Sequence, residues 1–359
     1  LNSTFSRLKT NYLQEELDAL IITKPSNRRY LSGFTGSSGY LLLTEREDIL
    51  VTDFRYAEQA AAQAQKFRVV RQGLEHMQTL RELIDCYGLK KVGIEKEVTT
   101  LSSFEEYQKS IPGAVFVPVS DPVAAWRRIK SAEEIGLIRK AIEIADRTFL
   151  HLKGFVTAGQ TEKEVALEIE FFMRRLGSER NAFEIIVASG GRSSLPHGTA
   201  TDKVIARGEL VTVDFGAVYS GYRSDITRTL VMGPPDERQK SIYELVLRAQ
   251  KAAVESIKPG LKSSEVDMVA RSIISEAGYG SNFGHGLGHG LGLDIHEGPR
   301  LSPLDETMLE PGMVVTVEPG LYLPGWGGVR IEDVVAVTPQ GCEVLTRSPK
   351  NLDDMIIDS

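Results

Sequence analysis

The chain has 359 residues, a formal net charge of −7, two cysteines and six histidines. Its length favours two domains with separate cores, and its acidity excludes a general affinity for nucleic acid or anionic lipid, both of which require clustered Lys and Arg. Cys86 and Cys342 lie in separate halves, which excludes a disulfide framework and a cysteine-based zinc site and fits a reducing, cytoplasmic compartment. No run approaches the ~18 apolar residues of a membrane span, and Leu1 to Thr10 lacks the apolar core of a signal peptide, so a protein neither secreted nor anchored is expected.

In the first third, short apolar runs alternate with amphipathic stretches. Ala19 to Ile22, Gly39 to Leu43, Ile49 to Val51 and Lys91 to Ile94 have the composition of strands, with helices predicted over Tyr56 to Lys66 and His76 to Tyr87. This pattern implies a small α/β domain. Asp121-Pro122 interrupts it, and Val123 to Leu152 follows as one long helical stretch, which sets a domain boundary near residue 122 and gives domains 1–122 and 123–359.

The remainder contains an internal repeat. Gly159-Gln160-Thr161-Glu162-Lys163-Glu164-Val165, ending at Gly177, aligns without gaps on Gly260-Leu261-Lys262-Ser263-Ser264-Glu265-Val266, ending at Gly278. Further on, Val211-Thr212-Val213-Asp214-Phe215-Gly216 matches Val315-Thr316-Val317-Glu318-Pro319-Gly320. Two similar α+β halves facing each other are expected.

Asp214 ends one alternating run, and Asp225 lies in a second, Arg223 to Val231, with Ser220-Gly221 between them as a turn; the two runs would pair as a hairpin. Glu318 and Glu332 repeat the arrangement around Gly325 and Gly327-Gly328, with Glu332 in a returning strand Val329 to Val337. Four strand-borne carboxylates around one centre repel unless cations lie between them, and two divalent ions match their summed charge. A lone carboxylate would be a solvated strand residue, and a lone histidine is more often structural. Here His285, His289 and His296 lie in the glycine-rich segment Asn282 to Gly298, where the glycines disfavour a helical zincin motif and favour an extended strand bearing imidazoles. One nitrogen and several oxygens suit Mn²⁺ or Co²⁺, with Zn²⁺ or Fe²⁺ also possible. Such ions acidify water and polarise carbonyls, which suits peptide hydrolysis.

These residues resemble the pita-bread metallopeptidases, the family of methionine aminopeptidase, prolidase, aminopeptidase P and creatinase. Asp214, Asp225, His289, Glu318 and Glu332 match the family's five metal ligands in order and spacing. By that resemblance Asp225 and Glu332 bridge two ions, Asp214 completes one site, and His289 with Glu318 completes the other. The blocks Leu195-Pro196-His197-Gly198, Gly284 to His289, His296-Glu297-Gly298-Pro299 and Arg330-Ile331-Glu332-Asp333 resemble the proline-specific branch. The resemblance implies that His197 and His296 contact substrate or stabilise the tetrahedral intermediate. It further implies that His285 shapes a proline pocket and that Arg330 supports the metal carboxylates or a nearby acidic side chain; Tyr322 matches a tyrosine of some members, although an aromatic there is more often packing. In the expected mechanism Glu318 handles the proton.

The first third, through Asn27 to Phe34 and Thr52 to Tyr56, resembles the companion domain of prolidase and aminopeptidase P, which implies a homodimer. The implied activity is removal of an N-terminal residue preceding proline. Rival readings are another aminopeptidase specificity such as that of methionine aminopeptidase, a metal-free creatinase-like hydrolase, and a non-enzymatic binding protein. No ligand position is replaced here, as the last two would require.

Overall fold

A computed structural model describes residues 17–358, so the stretch Leu1 to Thr10 lies outside the described residues. The chain divides into two compact units, 1–127 and 128–359. The division falls after Arg127, whose Nη1 donates to Ser26 Oγ (2.9 Å) and Asn27 Oδ1 (2.8 Å) inside the first unit.

The first unit comprises β1 (Ala19–Ile22), α1 (Pro25–Ser32), β2 (Tyr40–Thr44), β3 (Asp48–Thr52), α2 (Ala57–Gln63), β4 (Arg68–Arg71), α3 (His76–Tyr87), β5 (Lys91–Glu95), α4 (Leu101–Ser110), β6 (Val115–Val119) and α5 (Ala124–Arg128). Its six strands form one mixed sheet in the order β4-β3-β2-β1-β5-β6. Ala19 and Ile21 belong to one hydrophobic core while Leu20 and Ile22 belong to another, so both faces of β1 are covered. A strand buried on both sides is a continuous apolar run, which is why it stands out in the sequence. The edge strands β4 and β6, half-exposed and interrupted by Arg or Pro, lack that signal and were not expected.

The second unit begins with α6 (Ala132–Phe155) and α7 (Glu162–Arg175). The single helix expected over Val123 to Leu152 is broken before α6. Ser131 Oγ accepts from Glu134 N and the Glu134 carboxylate accepts from Ser131 N, a capping box that starts a new helix there. Next come β7 (Ile186–Ser189), β8 (Leu210–Phe215), β9 (Val218–Tyr219), β10 (Tyr222–Arg223), β11 (Ile226–Met232), α8 (Glu237–Ser256) and α9 (Ser263–Glu276). The chain continues with β12 (Gly288–Gly290), β13 (Glu297–Leu301), β14 (Val314–Val317), β15 (Gly320–Leu323), β16 (Gly327–Arg330), β17 (Asp333–Thr338), β18 (Gly341–Val344), α10 (Leu352–Met355) and β19 (Ile356–Ile357).

The repeat has a structural counterpart. Helices α7 and α9 follow isolated bridges at equivalent places, Thr161 with Val204 and Lys262 with Met308. Each ends at a glycine with positive φ, Gly177 at 99° and Gly278 at 87°. Strands β8 and β11 pair antiparallel with Asp214 opposite Thr227, and β14 pairs with β17 with Val317 opposite Asp333. Between the paired strands of each half the chain makes a small hairpin excursion, β9–β10 in one and β15–β16 in the other. Ser220 and Gly221, at φ 46° and 78°, form the tip of the first, as a two-residue hairpin turn of this hand requires. Glu332 therefore sits between β16 and β17, not within the single returning strand expected over 329–337.

The glycine-rich segment also differs from a single extended strand. It forms the short strand β12, a bend over 292–296, and β13, with a register shift between His289 and Gly290. Close packing limits the strand: a Cβ on Gly288 would lie 2.1 Å from the Thr316 carbonyl oxygen.

Candidate metal centre and active site

Strand geometry brings the acidic residues together. Asp214 lies near the end of β8, Asp225 immediately before β11 and Glu332 immediately before β17, and ligand oxygens of the three lie within 4.8 Å of one another. His289 in β12 and Glu318 just after β14 form the adjoining group. His289 Nε2 is 3.2 Å from Glu318 Oε1 and 3.6 Å from Asp225 Oδ2, so Asp225 is common to both groups. His289 Nδ1 faces the carbonyl of Gly290 at 3.1 Å; donation there turns Nε2 toward the carboxylates, where it donates to Glu318 while protonated and would present a lone pair to a metal ion on losing that proton.

Threonines orient the carboxylates. Thr227 Oγ1 donates to Glu332 Oε2 (2.8 Å) and accepts from Arg330 Nε (3.1 Å). Thr316 Oγ1 donates to Glu318 Oε1 (3.0 Å) and accepts from His289 N (3.0 Å). Arg330 Nη2 donates to Asp214 Oδ2 at 2.6 Å, and Nη1 donates to the Tyr322 hydroxyl at 2.9 Å and to the Pro196 carbonyl at 3.2 Å. Tyr322 reaches His285 Nε2 at 2.9 Å, while His285 Nδ1 faces the Gly286 carbonyl at 2.7 Å. Tyr322 thus links Arg330 to His285 through its hydroxyl, a part that packing alone would not require.

Charge is out of balance at this centre. Burial, followed by the negative charge of their neighbours, pushes the carboxyls of Asp225 and Glu332 well above the usual range. Burial raises Asp214 as well, although Arg330 opposes it. Glu318 goes the other way, to about 2: burial alone would raise it, but the hydrogen bond and charge of His289 outweigh that. His285 and His296 are both lowered, chiefly by burial. Asp214 Oδ1 and Glu332 Oε1 are buried with no hydrogen-bond partner. Buried carboxylate oxygens without donors, beside others that repel them, are costly unless a cation accepts them. The donor set fits divalent metal.

The centre opens into a cavity of about 790 Å³. Every residue nominated from the sequence lines it except Glu332, which is buried at 1% exposure behind the wall. His197, His285, His296 and Arg330 thus share one space with Asp214, Asp225, His289 and Glu318. The His296 and His289 rings meet edge to face, with centroids 4.4 Å apart. Sequence reasoning missed Thr227 and Thr316, yet each is two residues from a nominated carboxylate, the spacing that shares a strand face. It also missed Glu184 and Arg300, two exposed and oppositely charged residues on the cavity wall; no local pattern marks either.

Comparison with known proteins decides the family. The sequence matches metallopeptidase family M24 over residues 136–339 and the creatinase/prolidase N-terminal domain over residues 5–129. The chain belongs to metallopeptidase family M24. M24 peptidases depend on divalent metal, in keeping with the acidic cluster. Among similar proteins, the Xaa-Pro dipeptidase of Pyrococcus horikoshii is 44% identical over 94% of this chain and 95% of its own. The structure of an Xaa-Pro dipeptidase from Bacillus anthracis superimposes with a TM-score of 0.96 at 45% identity, covering 99% of each chain. An X-Pro aminopeptidase from Thermotoga maritima gives a TM-score of 0.88 at 40% identity, over 96% of this chain and 98% of its own. The M24 fold of this chain is therefore the two-domain, α+β pita-bread architecture.

Proposed function

We propose that this M24 peptidase hydrolyses the peptide bond between an N-terminal residue and proline, with dipeptides as preferred substrates. The observation that carries the reading is the pair of orphaned carboxylate oxygens, on Asp214 and Glu332, beside a cavity that also holds three imidazoles not assigned to metal. Whole-length similarity to Xaa-Pro dipeptidases supports the specificity. Arg300 and Glu184 support the dipeptide preference, since a short zwitterion offers both a carboxylate and an ammonium to opposite charges lining one cavity.

In this reading Asp214, Asp225, His289, Glu318 and Glu332 are the residues that would hold two divalent ions. The oxygen-rich donor set favours Mn²⁺ or Co²⁺. When bound, the ions supply Lewis acidity toward the scissile carbonyl and an acidified water. Glu318, held by Thr316 and His289, takes the proton of the attacking water and returns it to the departing proline nitrogen. His296 and His197 donate to the developing oxyanion from the cavity wall. His285, fixed by Tyr322 and Gly286, and Arg330, fixed by Asp214 and Tyr322, shape the substrate side.

We also read the protein as a cytoplasmic homodimer. Its first unit matches the N-terminal domain of creatinase and prolidase, and both cysteines are free. No helix among the described residues is long and apolar enough to cross a membrane.

The test is hydrolysis by Mn²⁺-loaded and Co²⁺-loaded protein of an Xaa-Pro dipeptide, an Xaa-Pro-Xaa tripeptide and an Xaa-Ala control. Cleavage confined to the dipeptide establishes a prolidase. Equal release from the tripeptide replaces that reading with an aminopeptidase P activity, and preference for the alanine control refutes proline specificity.

A further inference from the structure

Two consecutive residues of β11 grip Glu332. Thr227 O accepts from Glu332 N at 3.2 Å, Thr227 Oγ1 donates to the Glu332 carboxylate, and Arg228 Nη1 donates to the Glu332 carbonyl oxygen. Arg228 has no exposed surface and heads the largest fully buried side chains of the described residues. All five of its N–H donors have acceptors. Nε serves Pro349 O (2.8 Å); Nη1 serves Thr227 O (3.0 Å) and Glu332 O; Nη2 serves Ser348 O (2.8 Å) and Asp333 Oδ1 (2.9 Å).

Asp333, the residue after Glu332, is held equally fully. Its Oδ2 accepts from Gln250 Nε2 at 2.9 Å and from Lys350 Nζ. The segment supplying Ser348, Pro349 and Lys350 is pinned from its other side by Asp146 of α6, which accepts from Arg347 N and Ser348 N at 2.9 Å each and from Ser348 Oγ at 2.5 Å. A chain of bonds thus runs from α6 through segment 347–350 and Arg228 to the peptide group of Glu332.

Stability alone is a weak account of this cluster, because a buried ion pair seldom outperforms apolar packing of the same volume. Instead, Arg228 Nη1 reaches the Glu332 carbonyl directly, and the bonds of Arg228, Gln250 and Lys350 to Asp333 fix the residue that follows it. The cluster also places two cations against one anion directly behind an acidic centre. We propose that Arg228, Asp333 and Lys350, strapped by segment 347–350, form a positioning device for Glu332, holding its carboxylate at the height where it shares a divalent ion with Asp214 and Asp225. This rests on the metal-binding reading proposed above.

The test compares chelator-treated wild type, Arg228→Lys, Lys350→Met and Glu162→Gln by calorimetric titration with Mn²⁺ and by thermal melting of the metal-free proteins. Glu162→Gln breaks a buried polar network at the start of α7, remote in sequence from the strap. Arg228→Lys keeps the charge but loses the forked bonds. Lys350→Met leaves Arg228 and Gln250 on Asp333 and decides the matter should the arginine variant not fold. The expected result is a loss of Mn²⁺ affinity of about 10- to 100-fold in the two strap variants, while Glu162→Gln lowers the melting temperature with affinity unchanged. Wild-type affinity in Lys350→Met overturns the strap and leaves the metal reading standing. Wild-type protein that binds no Mn²⁺ overturns both.

Discussion

Thr227 lies directly opposite Asp214 across the β8–β11 pair, yet its hydroxyl serves Glu332 from the other half of the repeat, 2.8 Å away. One residue therefore couples the two halves at their carboxylates. Thr227→Val keeps the shape and removes the hydroxyl, leaving Glu332 Oε2 and Arg330 Nε without that partner. Metal affinity is expected to fall about 10- to 100-fold, measured by titration of the metal-free protein, with the fold retained by circular dichroism.

Glu318→Gln keeps the size of the side chain and removes its basicity. The expected outcome is a loss of kcat of about 10²–10⁴-fold with native circular dichroism; a purified variant of wild-type activity would refute the assignment of Glu318 as the proton-handling group.

Treatment with a chelator is expected to abolish hydrolysis of an Xaa-Pro dipeptide, and addition of Mn²⁺ or Co²⁺ to restore it. Metal analysis by mass spectrometry run alongside decides the point, because full turnover in a sample free of metal contradicts the proposed centre.

Arg300 is the exposed cation of the cavity wall. Arg300→Ala should raise KM for the dipeptide by about 10-fold or more, the scale of a lost charge-assisted hydrogen bond of 1.5–3 kcal/mol. A tripeptide, whose carboxylate lies one residue further on, should change much less. Equal changes for both substrates would remove Arg300 from carboxylate recognition.

Glu162 at the start of α7 has no exposed surface and accepts from Ser189, Arg192 and Thr201. Burial acts to raise its pKa, but the hydrogen bonds from Thr201 and Ser189 outweigh it and hold the carboxyl below the usual range. A carboxyl lowered in the folded state contributes stability above its unfolded pKa and loses it as pH falls through the folded value. Glu162→Gln should therefore cost roughly 2–4 kcal/mol at pH 7, and the gap to wild type should narrow as the pH is taken below about 4. Denaturant titrations at both pH values measure it; a gap independent of pH contradicts the ionised state.

Much of this was legible in the sequence because the signals were local. β1 and β2 were visible because strands buried on both faces are continuously apolar. The repeat was visible because its helix caps and carboxylates kept their spacing. What stayed hidden depended on distant partners. The break before α6 needed Ser131 to be recognised as a cap inside a helical pattern, and the bend after β12 reflects how closely Gly288 and Gly290 approach neighbouring backbone. Glu184 and Arg300 acquire meaning only from a shared cavity. Arg228 is one more basic strand residue until segment 347–350 folds back onto it.

The two excursions have diverged in use. The hairpin β15–β16 carries Tyr322 and Arg330 to the carboxylates, whereas β9–β10 sends Arg223 elsewhere, donating from Nε to the Leu293 carbonyl at 3.1 Å and from its backbone N to Gly292 O at 2.9 Å. One insertion delivers side chains to the chemistry; the other braces the bend on which His296 is carried. Two matched halves thus give an asymmetric candidate site, and a change at the tip of the first hairpin would be felt as misplacement of an imidazole, while the same change in the second would disturb the acids themselves.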